Sequence, residues 1–318
     1  MAGLSAVPPN GGPGRKSLKG VAKSALKRVR SSQPFNYIAT GATRRFLKAT
    51  GLHSELIIKH LHHVGTVRCK LPDGRTLSLW SRADDWVSNQ LYWRGWSGYE
   101  PETTPLFFRL ATRAQVTMDV GAYVGFYTVL AAHANTEARV YAFEPLPTVY
   151  ERLLRNVALN KSANVQCIAA AVGEEAGEAE FFTTVTTEMP TSSSLSYDFM
   201  RSADGLCSKR VPVITLDQFV RENDIARVDL IKVDTESTEP QVLRGMVETL
   251  RRDHPFIVCE VLKGRGSEQL VEDILRPLSY RYYLLTPDGP CHRDRIEGHP
   301  EWLNYLFTTL GPDEVSRL

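Results

Sequence analysis

Several features are scarce in this chain of 318 residues, and each scarcity narrows what it can be. Its five cysteines (Cys69, Cys167, Cys207, Cys259 and Cys291) are widely spaced, odd in number and without a C-x-x-C pair. That argues against a disulfide framework or a zinc ribbon and fits a reducing compartment. No apolar run reaches the roughly 18 residues of a membrane span. The early PPNGGPG stretch is not the apolar region of a signal peptide. These absences predict a cytoplasmic protein. Acidic residues are missing from the first 50 positions, which hold ten Lys or Arg. The remainder has 28 basic against 36 acidic residues, a net charge of −8, although the whole chain carries only +2. Because only the head is basic, a nucleic-acid partner is disfavoured.

What is present divides the chain into three. Residues 1–14, rich in Gly and Pro, read as a disordered tail. Residues 15–63 read as a basic helical segment. In "RKSLKGVAKSALKRVRSS", Leu18, Val21, Ala22, Ala25, Leu26 and Val29 recur at helical spacing while lysines and arginines fill the other face. Such a helix suits an anionic membrane surface at the inner face, a solvated tail or a transit peptide. Residues 64–318 read as one domain with its core at about 115–310. It opens on a β-hairpin, "GTVRCKLPDGRTLSLW", turning at Asp73-Gly74. From residue 115 strands and helices alternate, which predicts a parallel sheet covered on both faces. Strands are expected near 115–120, 139–144, 164–169, 228–234 and 256–262, and helices near 125–134, 147–160, 239–251 and 267–277. "RYYLLT" and "WLNYLFTTL" are expected to close the sheet as an antiparallel pair. The run "TTVTTEMPTSSSLSYD" reads as a surface loop or as a cover over substrate.

The turn "VTMDVGAYVGFYTVLAAHA" is where such a fold binds a ligand. A dinucleotide site needs G-x-G-x-x-G, but Tyr123 stands two residues after Gly121 and the next glycine is Gly125. No P-loop pattern occurs either. The turn therefore favours a ligand without phosphates. Asp119 precedes the turn, and "VYAFEP" puts Glu144 at the end of the next strand, where a carboxylate can accept both hydroxyls of a ribose. A ribose without phosphate beside acidic strand ends suits S-adenosylmethionine.

"MDVGAYVGFYTVLAA", "VYAFEPLPTVYERLLRNVALN", "VPVITLDQF" and "DLIKVDTESTEPQVLRGMVETL", in this order, resemble the FkbM family of S-adenosylmethionine-dependent O-methyltransferases. The resemblance runs from about residue 65 to 310. It implies the α/β class I methyltransferase (Rossmann-like) fold, a seven-stranded sheet with one antiparallel strand. It also implies cofactor contacts at Asp119, Gly121, Tyr123, Gly125, Glu144 and Pro145. The family usually has Asn at position 123, and Gly where this chain has Ser237.

Asp234 and Glu236 end the fourth strand, two residues apart and on one side if the chain stays extended. The expected chemistry is proton removal from an acceptor hydroxyl as the methyl group arrives, with one of the two acids as general base. Their other reading is as caps of the helix starting near Glu239. Glu260, on the next strand, is a third acid on the same edge, and three acids can hold a divalent cation. Residue types alone do not support that, so no metal is assigned, and "HLHH" (60–63) reads as a linker. The function expected is O-methylation of a small molecule, glycan or lipid-linked sugar. N-methylation, or cofactor binding without turnover, are the alternatives. Tyr92, Trp93, Trp96 and Tyr99 stack on a sugar or belong to the core. The oligomeric state is not legible.

Overall fold

The computed structural model describes residues 33–52, 55–184, 189–190 and 193–318. The tail and the basic segment 15–30 lie outside the described residues. The chain divides into two units at residue 53. In the first, a helix over Gln33–Thr50 has no acid in its first turn and Lys48 in its last. No helix among the described residues is long and apolar enough to cross a membrane.

The second unit opens with β1 (Val64–Lys70) and β2 (Thr76–Arg82), paired antiparallel from Val64↔Arg82 to Lys70↔Thr76. This is the expected hairpin, and Gly74 at φ +86° makes its turn. After it come β3 (Val116–Val120), β4 (Arg139–Phe143) and β5 (Val165–Ile168). Next are β6 (Ala171–Val172), β7 (Gly177–Thr184) and β8 (Leu206–Ile214). The last five are β9 (Leu230–Val233), β10 (Phe256–Glu260), β11 (Arg281–Thr286), β12 (Gly289–Arg293) and β13 (Asn304–Thr308).

The main sheet runs β12-β11-β13-β10-β9-β3-β4-β5. From β10 through β9, β3 and β4 to β5 every pairing is parallel. β13 lies antiparallel between β10 and β11. This is the class I methyltransferase arrangement, with one correction. The sheet has eight strands rather than seven, because the polar loop after β11 folds back at Gly289 and adds β12 to the edge. β6, β8 and β7 form a separate three-stranded sheet.

Side-chain alternation explains how the sheet is covered on both faces. Val140, Leu230, Val258 and Leu306 point into one core with the hairpin's Leu77 and Leu79 and with Leu130 of the helix Phe126–Ala134. Tyr141, Ile231, Ile257 and Phe307 point into the other, with Phe219, Leu250 and Leu275. The helix expected over 239–251 is two helices, Glu239–Arg244 and Val247–Asp253. The chain breaks at Gly245, where a Cβ would lie 2.0 Å from the Gly173 carbonyl oxygen. The Asp217 carboxylate then accepts from the Glu248 and Thr249 amides, anchoring the start of the second helix. The carboxyl ends of β3, β4, β9 and β10 fall on one edge, and the candidate site is built there.

Candidate active site

The turn after β3 is tight for a steric reason. Gly121 has φ +80°, and a Cβ there would sit 1.9 Å from the Asp234 carbonyl oxygen. The first glycine therefore brings the ends of β3 and β9 into contact. Gly125, at φ +84°, begins the helix Phe126–Ala134, and a Cβ there would strike Leu153. Between them Tyr123 adopts φ +49°, a region that Asn enters more readily than bulky residues. Its hydroxyl is buried with no hydrogen-bond partner. Burial, reinforced by Asp85 and Asp84, raises its pKa.

Glu144 is 6% exposed and closes this turn from β4. Its Oε2 accepts the Tyr123 amide at 3.1 Å and its Oε1 the Leu146 amide at 2.9 Å. Burial pushes the carboxyl up to about 8, against the lowering by these two amides. Each oxygen keeps a second lone pair free to accept, so a ribose diol can still be gripped. Asp119 is differently placed. Its Oδ2 accepts the Thr128 hydroxyl at 2.5 Å, tying β3 to the following helix, and burial raises its pKa to about 6.

At the end of β9, Lys232 is fully buried. Its ammonium donates to Asp234 Oδ2 at 3.1 Å and to Asn304 Oδ1 at 3.2 Å, and lies 5.2 Å from the Tyr127 ring centroid. Asn304 Nδ2 and the Tyr127 hydroxyl both donate to Glu100 Oε2, at 3.0 and 2.5 Å. Burial works against the ammonium, but Asp234, Glu100 and Glu260 outweigh it and raise its pKa above the usual lysine range. Asp234 is thus oriented by a cation that stays charged.

The two acids after β9 are not related by an extended strand. β9 ends at Val233, and Glu236 and Ser237 have φ of +55° and +77°. They do not cap the next helix either. Glu239 organises the turn itself, its Oε1 accepting from the Thr235 amide, the Thr235 hydroxyl and the Ser237 amide. Ser194, from the Ser/Thr run, donates to the Glu236 carbonyl at 2.6 Å and clamps the turn. Burial, then repulsion from Asp234 and Glu239, pushes the Glu236 carboxyl up to about 8.

These groups surround a cleft whose empty space, open solvent included, is about 970 Å³. Of the expected site residues, Gly121, Tyr123, Glu144, Pro145, Asp234 and Glu236 line it, while Asp119 and Gly125 stand behind and shape the turn. Glu260 lines it too, as do Pro190, Ser193 and Leu195 of the Ser/Thr run, which therefore borders the site. Among the aromatics, Tyr99 reaches the cleft, whereas Tyr92, Trp93 and Trp96 join the core. Among the described residues, no Lys, Arg or His lines the cleft. Among the described residues, no three His, Cys, Asp or Glu are placed to hold a metal ion. Sequence reasoning missed Lys232, Glu100 and Asn304. The available signal was a lysine inside the apolar run of "DLIKVD", since a fully buried lysine requires a partner.

The sequence profile of the Methyltransferase FkbM domain matches residues 119–309. The chain is 26% identical over 186 residues to Methyltransferase 1 of Beauveria bassiana, covering 54% of this chain and 74% of that protein. It is 27% identical over 189 residues to the 31-O-demethyl-FK506 methyltransferase FkbM of Streptomyces tacrolimicus, covering 51% and 70%. It is 26% identical over 165 residues to the hexuronic acid methyltransferase AglP of Haloferax volcanii, covering 52% and 63%.

Proposed function

The chain belongs to the family of FkbM methyltransferase domains, and from that premise we propose that it transfers the methyl group of S-adenosylmethionine to an acceptor hydroxyl. The observation that carries this is the acidic lining of the cleft, where Glu144, Asp234, Glu236 and Glu260 meet no lysine, arginine or histidine among the described lining residues. Such a lining repels phosphates and favours a nucleoside bearing positive charge. Bound there, S-adenosylmethionine supplies an electrophilic methyl group.

The chain's residues supply the rest. Glu144 accepts the ribose hydroxyls, and Ala170, Ala171 and Val172 offer an apolar wall to a flat base. Asp234, oriented by Lys232, takes the proton of the acceptor hydroxyl as its oxygen attacks. A hydroxyl acceptor agrees with the O-methyl chemistry in the name of the Streptomyces relative.

Calorimetry tests the cofactor reading. S-adenosylhomocysteine should bind and NAD should not, and Glu144→Ala should lose about 2–3 kcal/mol of that binding. Tritiated-methyl transfer into glycan, lipid and metabolite extracts tests the chemistry. There Asp234→Asn should lower kcat by roughly 10²–10⁴ with cofactor affinity nearly unchanged. Wild-type turnover in Asp234→Asn would remove the base role.

A further inference from the structure

The half of the cleft away from Glu144 is walled by carboxyl groups that outnumber the cations near them, Lys232 and Arg265. Asp234 has Lys232, but Glu236 and Glu260 form no ion pair among the described residues. Glu260 ends β10 directly opposite Asn304. Its Oε2 is buried and has no hydrogen-bond partner. An acceptor atom left so costs about 1–3 kcal/mol, and because Glu260 lines the cleft, a turn of its carboxyl would offer it to a ligand donor. Two aromatic rings, Tyr99 and Trp86, also line the cleft, the latter 45% exposed. Faces of such rings attract organic cations.

We infer that this half of the cleft binds an acceptor carrying a protonated amine beside the hydroxyl to be methylated, an amino alcohol or amino sugar, with Glu260 as the ammonium's partner. The inference rests on reading the cleft as a methyl-transfer site and names its substrate class. Glu236 stands second to the same ammonium, while Asp234 remains with Lys232 to receive the hydroxyl proton. An anionic acceptor would gain no partner from these carboxyls and would oppose their ionisation.

The proposal carries a pH signature. Glu260 faces Asp234, Glu236, Lys232 and Glu239, and Glu236 faces Asp234, Glu239, Arg265 and Lys232. Burial first, then the neighbouring acids, favours the neutral form of both carboxyls. An ammonium offsets that repulsion, so its binding expels a proton and tightens as pH rises toward about 8, the value to which Glu236 is pushed. A neutral ligand has no such dependence.

The test uses three six-membered rings that differ in one group: trans-2-aminocyclohexanol, trans-cyclohexane-1,2-diol and trans-2-hydroxycyclohexanecarboxylate. Each is titrated by NMR into the full chain saturated with S-adenosylhomocysteine. The amine should bind at least about tenfold tighter than the diol, a gap of about 1.4 kcal/mol, and the hydroxy acid should bind weakest. Glu260→Gln should erase the amine's advantage while S-adenosylhomocysteine still binds. In the unaltered protein, only the amine's affinity should rise with pH, a readout that needs no variant. Equal or tighter binding of the hydroxy acid, or an amine affinity indifferent to pH, overturns the inference. Failure of S-adenosylhomocysteine to bind instead overturns the methyl-transfer reading beneath it.

Discussion

Ser237 has φ +77°, a conformation that costs an L-residue about 1–2 kcal/mol and glycine nothing. Its hydroxyl is also buried without a hydrogen-bond partner. Ser237→Gly keeps the amide that Glu239 accepts and removes both penalties. Set against the looser unfolded chain, it should stabilise the protein by about 1 kcal/mol. Urea denaturation with an unchanged m-value measures this, and a lower midpoint would refute the strain account. Lys232 makes the opposite case. Lys232→Met leaves the buried Glu100 and the Asp234 carboxylate without their cation, which should cost about 3–5 kcal/mol. Adding Glu100→Gln should recover part of that loss, because one of the stranded charges is then gone. A double-mutant cycle reads the coupling, and strictly additive costs would mean that the two groups do not act through one another.

At the scale of elements, β2 is docked through asparagines that imitate a neighbouring strand. Asn160 accepts the Ser78 amide at 2.8 Å and donates to the Ser78 carbonyl at 2.6 Å. Asn156 accepts the Trp80 amide at 2.7 Å and donates to the Val124 carbonyl at 2.7 Å, joining the hairpin to the glycine turn. Asn156→Leu removes the partners of two main-chain groups and should cost about 2–3 kcal/mol. Hydrogen exchange should quicken at Trp80, and unchanged protection there would show that the docking does not depend on Asn156. The hairpin itself was legible from its alternation, but this docking was not, because "RNVALN" carries no mark of what its amides meet. β3, β4, β9 and β10 were legible because each is a short, mostly buried run. β7 and β8 were not, since Glu178, Glu180, Lys209 and Arg210 leave much of the pair in solvent. The turn after β9 was misread for another reason. Extended backbone is the default after a strand, and only packing against Gly121 and Glu239 bends Glu236 and Ser237 into positive φ.

Over the whole molecule, the buried acids of the site make stability depend on pH in an unusual direction. Asp119 is raised to about 6, and Glu144 and Glu236 to about 8, in each case chiefly by burial. In the unfolded chain these groups titrate near 4. Between the two ranges the folded protein binds more protons than the unfolded one, so unfolding free energy falls as pH rises. The stabilisation is complete below about 4 and is lost as pH climbs through 6 and then 8. Lys232 adds nothing in this window, because its pKa is raised above the usual lysine range. Without cofactor, the melting temperature should therefore decline from pH 5 to pH 8.5. General repulsion within the acidic body gives a slope of the same sign, and Glu144→Gln separates the two. It removes one raised carboxyl and almost none of the overall charge, so its decline should be visibly shallower above pH 6. Parallel slopes in the two proteins would mean that Glu144 is already ionised in the folded state. The two backbone amides on its oxygens would then outweigh its burial.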